Sequence, residues 1–413
     1  MHLPLTSEIE EANVGQANNE NLSLLRLLKP EVLADPYPLY RALREYHPVH
    51  WDPYMHAWVV TGYPEVVTAL TNYSSDRAPT LDYLDRHGLS FMKPFAEMMQ
   101  QQMLFMDGVT HARLRAICAA AFTPHKVEEL RTEIQAVADE LIDKVSAYGH
   151  LDMIADFAAP LPAIITAKLM GFPVKDHRLL GVWVNDIVEL HGNFQHHPDR
   201  VAEIVQSLQK MKTYASDRMN ELREHPNDGL ICSLMIAEVD GQRLTNEEVI
   251  ASTIVTMIGG HETTTNLIAS GFLTLLRNPD CLEQLRNHPE IVASAVEELL
   301  RYESPGPAHR PYCASRHGTW WKENPQGGES GGGSGCGKSR REPIPRSRLP
   351  GLTSVRQPAF GVRLGISLLL RRPVGPNTMP DCQIAFATLL RRLSRPALLH
   401  KTLHWQVTPA CAA

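Results

Sequence analysis

The sequence lacks the features that mark membrane, secreted and zinc-binding proteins. No run of eighteen apolar residues occurs among its 413 residues, and residues 1–23 are polar and acidic without an apolar segment. The seven cysteines are scattered without paired metal spacing. These absences predict a soluble cytoplasmic protein that has free thiols and does not bind a membrane.

Negative charge is scarce in the last quarter of the chain. Residues 307–413 carry 16 Lys+Arg and 4 Asp+Glu, out of totals of 40 and 46 for the whole chain. The basic C-terminal part therefore differs in composition from the acidic residues 1–306, as two unrelated proteins would. A basic tail can bind nucleic acid, but these arginines lack interleaved aromatic residues and a recognisable nucleic-acid-binding fold. We therefore expect no nucleic-acid partner.

One long helix is predicted over residues 245–278. Thr245 and Glu248 have the spacing of a capping box, apolar residues follow at helical intervals, and Asn278-Pro279 ends the pattern. At 1.5 Å per residue the helix would span roughly 48 Å, which is enough to cross a whole domain. The sequence therefore predicts that this helix is central to the fold.

The middle of this helix has an unusual composition, because Gly259 and Gly260 are followed by His261, Glu262 and three threonines. Each glycine costs about 1 kcal/mol relative to alanine. Two missing side chains would let a flat group lie against the backbone, and threonine hydroxyls can bend a helix by bonding its carbonyls. A kinked core helix with satisfied polar groups is the alternative. A zinc protease is excluded because position 265 is Thr rather than His.

The run from Gly259 to Thr264 resembles the oxygen-binding motif of the cytochromes P450, the heme-thiolate monooxygenases, in their soluble bacterial form. The resemblance implies a mainly α fold with a small β part and heme b as the cofactor. It also implies that Glu262 and Thr263 relay protons to the oxygen site, and that Gly259 and Gly260 border the heme.

A second motif of this family lies at His111 and Arg115, which are four residues apart and share a helix face. Two such donors suit a dianion, and the resemblance implies that they bind the heme propionates. A solvated surface is the alternative for a lone His/Arg pair.

The third motif is Glu298 and Arg301, which are three residues apart and can pair on one helix. An exposed pair would be worth almost nothing. The resemblance instead implies a buried pair beneath the heme.

Residues 79–106 are predicted to be irregular, and they are rich in methionine and phenylalanine. Such side chains suit an adaptable apolar pocket, although ordinary core packing would explain them too. The resemblance implies that this stretch roofs the substrate chamber and that residues 183–194 line its access route. The predicted opening elements are a helix over 37–46, a hairpin over 50–52 and 57–61, and a helix over 64–72.

The resemblance breaks after residue 307. Residues 308–382 are glycine-rich, serine-rich and basic, a composition that should not pack a core. Residues 359–361 resemble the start of the heme loop, and counting from Phe360 places the iron-ligating cysteine at position 367, where the residue is Ser367. Our hypothesis is that residues 308–382 derive from a shifted reading frame. Serine cannot replace a thiolate that favours cleavage of the O–O bond.

Another cysteine would have to supply the thiolate in the chain as printed. Cys382 is the nearest thiol to the last helix, which is predicted over 383–393, but it precedes that helix by one residue where the family leaves about a dozen. It is thus a candidate metal ligand with unfavourable spacing. Cys313, Cys336 and Cys411 are placed worse.

The sequence thus predicts a flexible leader over 1–34, a cytochrome P450-like domain over 35–307, the aberrant region 308–382, and a remnant of the last helix with a tail over 383–413. The resemblance implies a monomeric monooxygenase that hydroxylates or epoxidises a small apolar substrate. It would use O2 and electrons that pass from NAD(P)H through ferredoxin reductase and ferredoxin. The alternative is an inactive remnant, or a small-molecule binder without thiolate-ligated heme.

Overall fold

The computed structural model describes residues 22–52, 57–72, 74–76, 78–122, 124–192, 200–303 and 380–399. These residues divide into two compact units. The described parts of the first unit are 22–52 and 57–72, and the remaining ranges belong to the second unit.

The first unit contains short helices around one antiparallel hairpin. In the hairpin, Val49 pairs with Val60 and Asp52 pairs with Ala57, as the β-rich composition predicts. Leu27, Leu39 and Leu43 form a small buried cluster. The elements are α1 (Pro30–Ala34), α2 (Tyr37–Tyr46), β1 (Val49–Asp52), β2 (Ala57–Val60) and α3 (Tyr63–Asn72).

The predicted flexible leader is shorter than expected. Residues 24–28 form a 3-10 turn and α1 follows it. The hydroxyl of Ser23 donates to the fully buried carboxylate of Asp52, 2.8 Å from Oδ2, and the Leu24 N–H donates to the same oxygen at 2.9 Å. The prediction that the flexible leader extends to residue 34 is therefore wrong for residues 22–34, because the buried Asp52 carboxylate holds this segment. Residues 1–21 lie outside the described ranges.

The second unit is built mainly from helices. Within its described ranges, a hairpin turns at Asp240-Gly241, where both residues have positive φ (52° and 74°), as an Asp-Gly turn allows. Its elements are α4 (Leu81–Arg86), α5 (Lys93–Met99), α6 (Gly108–Ala121), α7 (Pro124–Ser146), α8 (Pro160–Met170), α9 (His177–Gly192), α10 (Val201–Glu224), α11 (Leu230–Ile236), β3 (Glu238–Val239), β4 (Gln242–Arg243), α12 (Asn246–Arg277), α13 (Pro279–Asn287), α14 (Val292–Tyr302) and α15 (Pro380–Arg392).

The long helix α12 is the centre of this unit, as predicted. Thr245 is its N-cap, and Thr245 and Glu248 form the capping box through both reciprocal hydrogen bonds. Near the other end, the Asn278 amide donates to the Thr274 carbonyl at 2.8 Å. Because α8, α9, α10, α14 and α15 all pack against α12, it joins most of the unit.

Two buried apolar clusters flank the middle of α12. The N-side cluster joins α5, α6, α9, α10 and α11 to Val249, Ile254 and Met257 of α12. The C-side cluster joins α7, α8, α13, α14 and α15 to Leu267, Ile268 and Phe272 of α12. The Gly-Gly-His-Glu-Thr run therefore lies where the two clusters meet along the helix.

The expectation that residues 79–106 are irregular is wrong. They contain α4, α5 and two 3-10 turns, at 90–92 and 103–105. Thr80 caps α4 by accepting the Tyr83 N–H at 3.2 Å, and Pro94 occupies the first turn of α5. These start signals are local, and such short helices show too little periodicity to predict.

The last helix is confirmed, because α15 packs on α7, α12 and α14. The Gln135 amide donates to Thr388 Oγ1 at 2.9 Å, and Arg391 pairs with Asp139 at 2.8 Å. Residues 304–379 lie outside the described ranges. Residues 308–379 of the basic region, including Ser367, fall there, whereas its last three residues begin α15.

One segment of the second unit, Met153–Met170, is long and apolar enough to cross a membrane by length and composition. It consists of a π-helical stretch followed by α8, and 56% of it is buried. Both parts pack against α7 and α12. Its apolar side chains therefore contribute to the core of the unit.

Candidate functional site

Residues 259–265 of α12, called the polar turn below, use their threonine hydroxyls within the helix. Thr263 Oγ1 donates to the Gly259 carbonyl at 2.7 Å, and Thr265 Oγ1 donates to the His261 carbonyl at 2.9 Å. These bonds reach one turn back, as threonine does inside helices. The backbone stays α-helical from Asn246 to Arg277.

Gly260 lets α8 approach α12 closely. A Cβ atom at position 260 would lie 2.9 Å from Oγ1 and 3.4 Å from Cγ2 of Thr166 on α8. Helix packing thus accounts for this glycine. That Gly259 and Gly260 border a cofactor stays a prediction.

His261 is buried, with 6% of its surface exposed. Its ring packs on α9, where a Cβ atom at Gly181 would lie 3.7 Å from Nε2. Burial lowers the pKa of His261 to about 4, because the cation would lose its hydration. The imidazole is therefore neutral at physiological pH.

Glu262 is the acid of the polar turn. Burial raises the pKa of its carboxyl to about 7, and a hydrogen bond from Asn266 partly opposes that rise. A carboxyl with this pKa can both hold and release a proton near neutrality. Among the residues of the polar turn, Glu262 is therefore the side chain best suited to exchange a proton near neutral pH.

His111 and Arg115 lie one turn apart on the same face of α6, and both are half-buried. The helix begins after Asp107, whose carboxylate accepts the Ser75 N–H at 2.9 Å. Two nitrogen-bearing side chains on one face can bind a dianion. That they bind heme propionates stays a prediction.

An ion pair fixes α6 against the start of α12. The Arg113 guanidinium binds the Glu248 carboxylate, and the side chains are 27% and 9% exposed. Glu248 also accepts the Thr245 N–H at 2.9 Å in the capping box. One turn along both helices, Cys118 Sγ lies 3.8 Å from Ser252 Oγ. The same carboxylate therefore caps α12 and holds the helix that carries His111 and Arg115.

Glu298 and Arg301 form the pair that their spacing predicts. Two hydrogen bonds of 2.6 and 2.8 Å join the guanidinium to the carboxylate. Glu298 is buried and Arg301 is about one-third exposed. This bidentate geometry is stronger than that of an ordinary surface pair. Its position beneath a heme stays a prediction.

The cysteines of the described ranges do not fit an iron ligand. Cys382 is fully buried in the C-side cluster, and burial raises its pKa well above the usual value, so the thiol stays protonated. Burial raises the pKa of Cys118 to about 11 and also raises that of Cys281. Cys232 is buried beside Asn227. Cys313, Cys336 and Cys411 lie outside the described ranges.

His111 and Arg115 are donors of a kind that would bind heme propionates. Glu262 and Thr263 are groups of a kind that would handle a proton on the oxygen side, and all of these roles stay predictions. None of the cysteines in the described ranges is suited to ligate the iron. Within these ranges, no group of three His, Cys, Asp or Glu side chains could hold a metal ion by itself.

Two clefts occur elsewhere on the described surface. One of about 500 Å³ lies between the end of α10, α11 and the start of α12, and a second lies between α7 and α15. Neither is lined by a residue of the polar turn.

Sequence reasoning missed several contacts of the polar turn. Thr166 and Gly181 come from other helices, so no local pattern marks them. Asn266 lies four residues after Glu262, and this helical spacing could have identified it.

The cytochrome P450 family model matches residues 49–311. Cytochrome P450 CYP107DY1 of Priestia megaterium is 33% identical over 289 residues, which are 67% of this chain and 70% of that protein. The vitamin D(3) 25-hydroxylase of Pseudonocardia autotrophica is 32% identical over 277 residues, 66% of this chain and 65% of that protein. The structure of P450BioI with a fatty-acyl carrier protein has a TM-score of 0.69 at 26% identity, covering 88% of this chain and 93% of that one.

Proposed function

Because this chain belongs to the cytochrome P450 family, whose members are heme monooxygenases, we propose that it hydroxylates or epoxidises a small apolar substrate. Electrons would pass from NAD(P)H through a ferredoxin reductase and a ferredoxin to a cytoplasmic monomer. Heme iron, when bound, supplies the activation of O2 and the insertion of one oxygen atom. The observation that carries the proposal is Glu262, a carboxyl with a pKa of about 7 at the centre of the main helix.

Glu262 and Thr263 are proposed to deliver protons to the oxygen side. The carboxyl is half-protonated near neutrality and can therefore exchange protons without a large free-energy cost. The Thr263 hydroxyl is held by the Gly259 carbonyl at 2.7 Å, which fixes its orientation.

His111 and Arg115 are proposed to hold the propionates. The ion pair between Arg113 and Glu248 would keep α6, which carries them, in register with α12. Glu298 and Arg301 are proposed to support the opposite side of the cofactor. Gly259 and Gly260 would leave room for its edge.

An apolar substrate is supported by what the relatives are described as binding. CYP109E1 structures contain corticosterone or testosterone, and a CYP267B1 structure contains myristic acid. All three ligands are largely hydrocarbon. The methionines and phenylalanines of residues 92–105, most of them buried in the N-side cluster, are chemically suited to the same class.

We propose that the iron-ligating cysteine is missing because residues 308–382 are read in a shifted frame. This region follows the leader and the P450-like domain (35–307) and precedes the remnant of the last helix with its tail (383–413). The family pattern continues up to about residue 307 and returns at residues 383–393, so the departure lies between two stretches that keep it. Resequencing the coding DNA tests the frame. An unchanged sequence would contradict this explanation.

The function is tested by the carbon monoxide difference spectrum of reduced protein, using the printed chain and a chain with the frame restored. We expect a strongly red-shifted Soret band only in the restored chain. A matched control with serine at position 367 in the restored frame should lose that band. If the restored chain binds heme without the band, or oxidises no apolar compound when supplied with ferredoxin and reductase, the proposed function is wrong.

Replacing Thr263 with Ala should uncouple electron use from product in the restored chain. The change removes the hydroxyl that orders proton delivery, so NAD(P)H consumption continues while product per NAD(P)H falls roughly tenfold or more. Thr265→Ala is the control, since its hydroxyl bonds the His261 carbonyl instead. Equal coupling in both variants would remove Thr263 from the mechanism.

A further inference from the structure

The cleft of about 500 Å³ between the end of α10, α11 and the start of α12 has the size of a small-molecule site. Leu222 and Val249 line it and are almost fully buried. Leu244 and Met235 also line it and are partly buried, whereas the Ile236 side chain is 72% exposed. An apolar group that filled the cleft would remove this surface from water, which is favourable.

Arg223 lines the same cleft and is held in place by two amides. Its guanidinium donates to Asn220 Oδ1 at 2.6 Å and to Asn246 Oδ1 at 2.7 Å. Asn220 lies on α10 and Asn246 begins α12, so the guanidinium is fixed between the two helices. Both acceptors are neutral, and in the part of the chain that the structure describes no carboxylate forms an ion pair with Arg223. A guanidinium has five N–H donors, so these bonds leave donors for a ligand.

Other polar groups of the lining already have partners within the protein. Asn227 Oδ1 accepts the Gly229 N–H at 2.9 Å, and Cys232 Sγ lies 3.6 Å from the same oxygen. Asp228, the second charged residue of the lining, also has an interaction with another group. Arg223 is therefore the charged lining residue best placed to recognise a ligand.

We propose that this cleft binds a small amphipathic carboxylate. The carboxylate accepts hydrogen bonds from the Arg223 guanidinium, and such charge-assisted bonds are stronger than bonds between neutral groups. The aliphatic part of the ligand lies against Leu222, Leu244 and Ile236. An alcohol of the same length keeps the apolar contact and lacks the ion pair, and an ammonium group meets the guanidinium with like charge.

The cleft is separate from the site proposed for oxidation. No residue of the polar turn lines it. Along α12, Val249 precedes Gly259 by ten residues, which is roughly 15 Å at 1.5 Å per residue. Glu248, which directly precedes Val249, binds Arg113 of α6, so the bound carboxylate lies close to the ion pair that joins these two helices. Binding in the cleft needs neither heme nor turnover, so it does not depend on the proposed oxidation.

The test is isothermal titration calorimetry of the full chain at pH 7 with octanoate, octan-1-ol and octylammonium, which share one hydrocarbon chain and differ in the head group. We expect octanoate to bind the wild type most tightly. Arg223→Met should weaken octanoate binding about tenfold, or about 1.4 kcal/mol, and should leave the binding of octan-1-ol unchanged. Arg223→Lys keeps the positive charge and should keep the preference for octanoate over octan-1-ol.

Arg86→Met is the matched control, because Arg86 is an exposed arginine on α4 that pairs with Asp82 and does not line the cleft. It should change none of the three affinities. Three outcomes would overturn the inference. Octanoate could bind the wild type no more tightly than octan-1-ol, octylammonium could bind more tightly than octanoate, or Arg223→Met could have no larger effect on octanoate than Arg86→Met. The last outcome would place the carboxylate at a different site.

Discussion

His261 and Glu262 are adjacent residues, yet burial moves their pKa values in opposite directions. The pKa of His261 falls to about 4 and that of Glu262 rises to about 7. Desolvation favours the neutral form of each group, which is the base for histidine and the acid for glutamate. At pH between these two values the turn carries no charge, which suits a helix centre between two apolar clusters.

The free energy of unfolding should depend on pH through His261. Its folded pKa lies below the usual 6.5, so the unfolded chain binds the proton more readily, and the contribution of His261 to stability is lost as pH falls from 6.5 to about 4, whereas Glu262 contributes with the opposite sign. The full loss is about 3 kcal/mol, from 1.36 kcal/mol per pKa unit. In His261→Gln this part of the pH dependence should vanish, as measured by urea unfolding at pH 7, 5.5 and 4.5.

His225→Gln is the control for that measurement, because His225 is exposed at the end of α10. It should keep the wild-type pH dependence. The assignment to His261 would be refuted by parallel stability curves for wild type and His261→Gln across this range.

At the scale of elements, the contact between α8 and α12 depends on Gly260. Gly260→Ala places a Cβ atom 2.9 Å from Thr166 Oγ1 and 3.4 Å from its Cγ2, so the threonine must shift to make room. The helix-propensity gain of about 1 kcal/mol is smaller than the overpacking cost of about 1–3 kcal/mol. We expect a net loss of about 1 kcal/mol in chemical denaturation, recovered when Thr166→Ala is added.

Gly181→Ala is the matched control on α9. Its Cβ atom would lie 3.7 Å from the His261 ring, an ordinary contact, so the variant should be as stable as the wild type or slightly more stable. The double variant with both Gly260→Ala and Thr166→Ala could be no more stable than Gly260→Ala alone. That result would show that the contact with Thr166 does not cause the loss of stability.

The ion pair between α6 and α12 gives a second prediction at this scale. Arg113→Ala leaves the Glu248 carboxylate 9% exposed without its cation, although the Thr245 N–H still binds it. Removing one partner of a buried pair costs about 3–5 kcal/mol, and we expect about 2 kcal/mol for this partly exposed one. Urea unfolding at pH 7 measures the loss. Arg86→Ala breaks the exposed pair with Asp82 and should cost little or nothing. Equal losses would disprove the role of the Arg113 pair.

Helix starts explain which elements the sequence could predict. The capping box at Thr245 and the Asp240-Gly241 turn act locally, so α12 and the second hairpin were predictable. α4 and α5 have six and seven residues, too few for a clear apolar period, and their formation depends on packing in the N-side cluster. The spacing of Glu298 and Arg301 predicted their pairing. Their burial could not be predicted, because it depends on distant helices.

At the scale of the whole molecule, α15 completes the C-side cluster. Phe386 is fully buried and its ring lies against Gly271, where a Cβ atom would be 2.7 Å from Cζ. Phe386→Ala should therefore cost about 3–5 kcal/mol, measured by chemical denaturation of the full chain. Leu398→Ala, at a position 45% exposed, is the control and should change stability by less than about 0.5 kcal/mol. A similar small effect for both would mean that α15 does not contribute to the folded core.

The contact between α7 and α15 also sets an order on biosynthesis. Gln135 and Thr388 are 253 residues apart. A ribosome adding roughly 5–20 residues per second needs about 13–50 s to make the chain between them. Residues of the N-side cluster, from Ala78 to Met257, emerge earlier and can pack first. Until the last helix is released, the parts of α7, α12 and α14 that pack against it stay uncovered, so the nascent chain exposes part of the C-side cluster to chaperones and to aggregation.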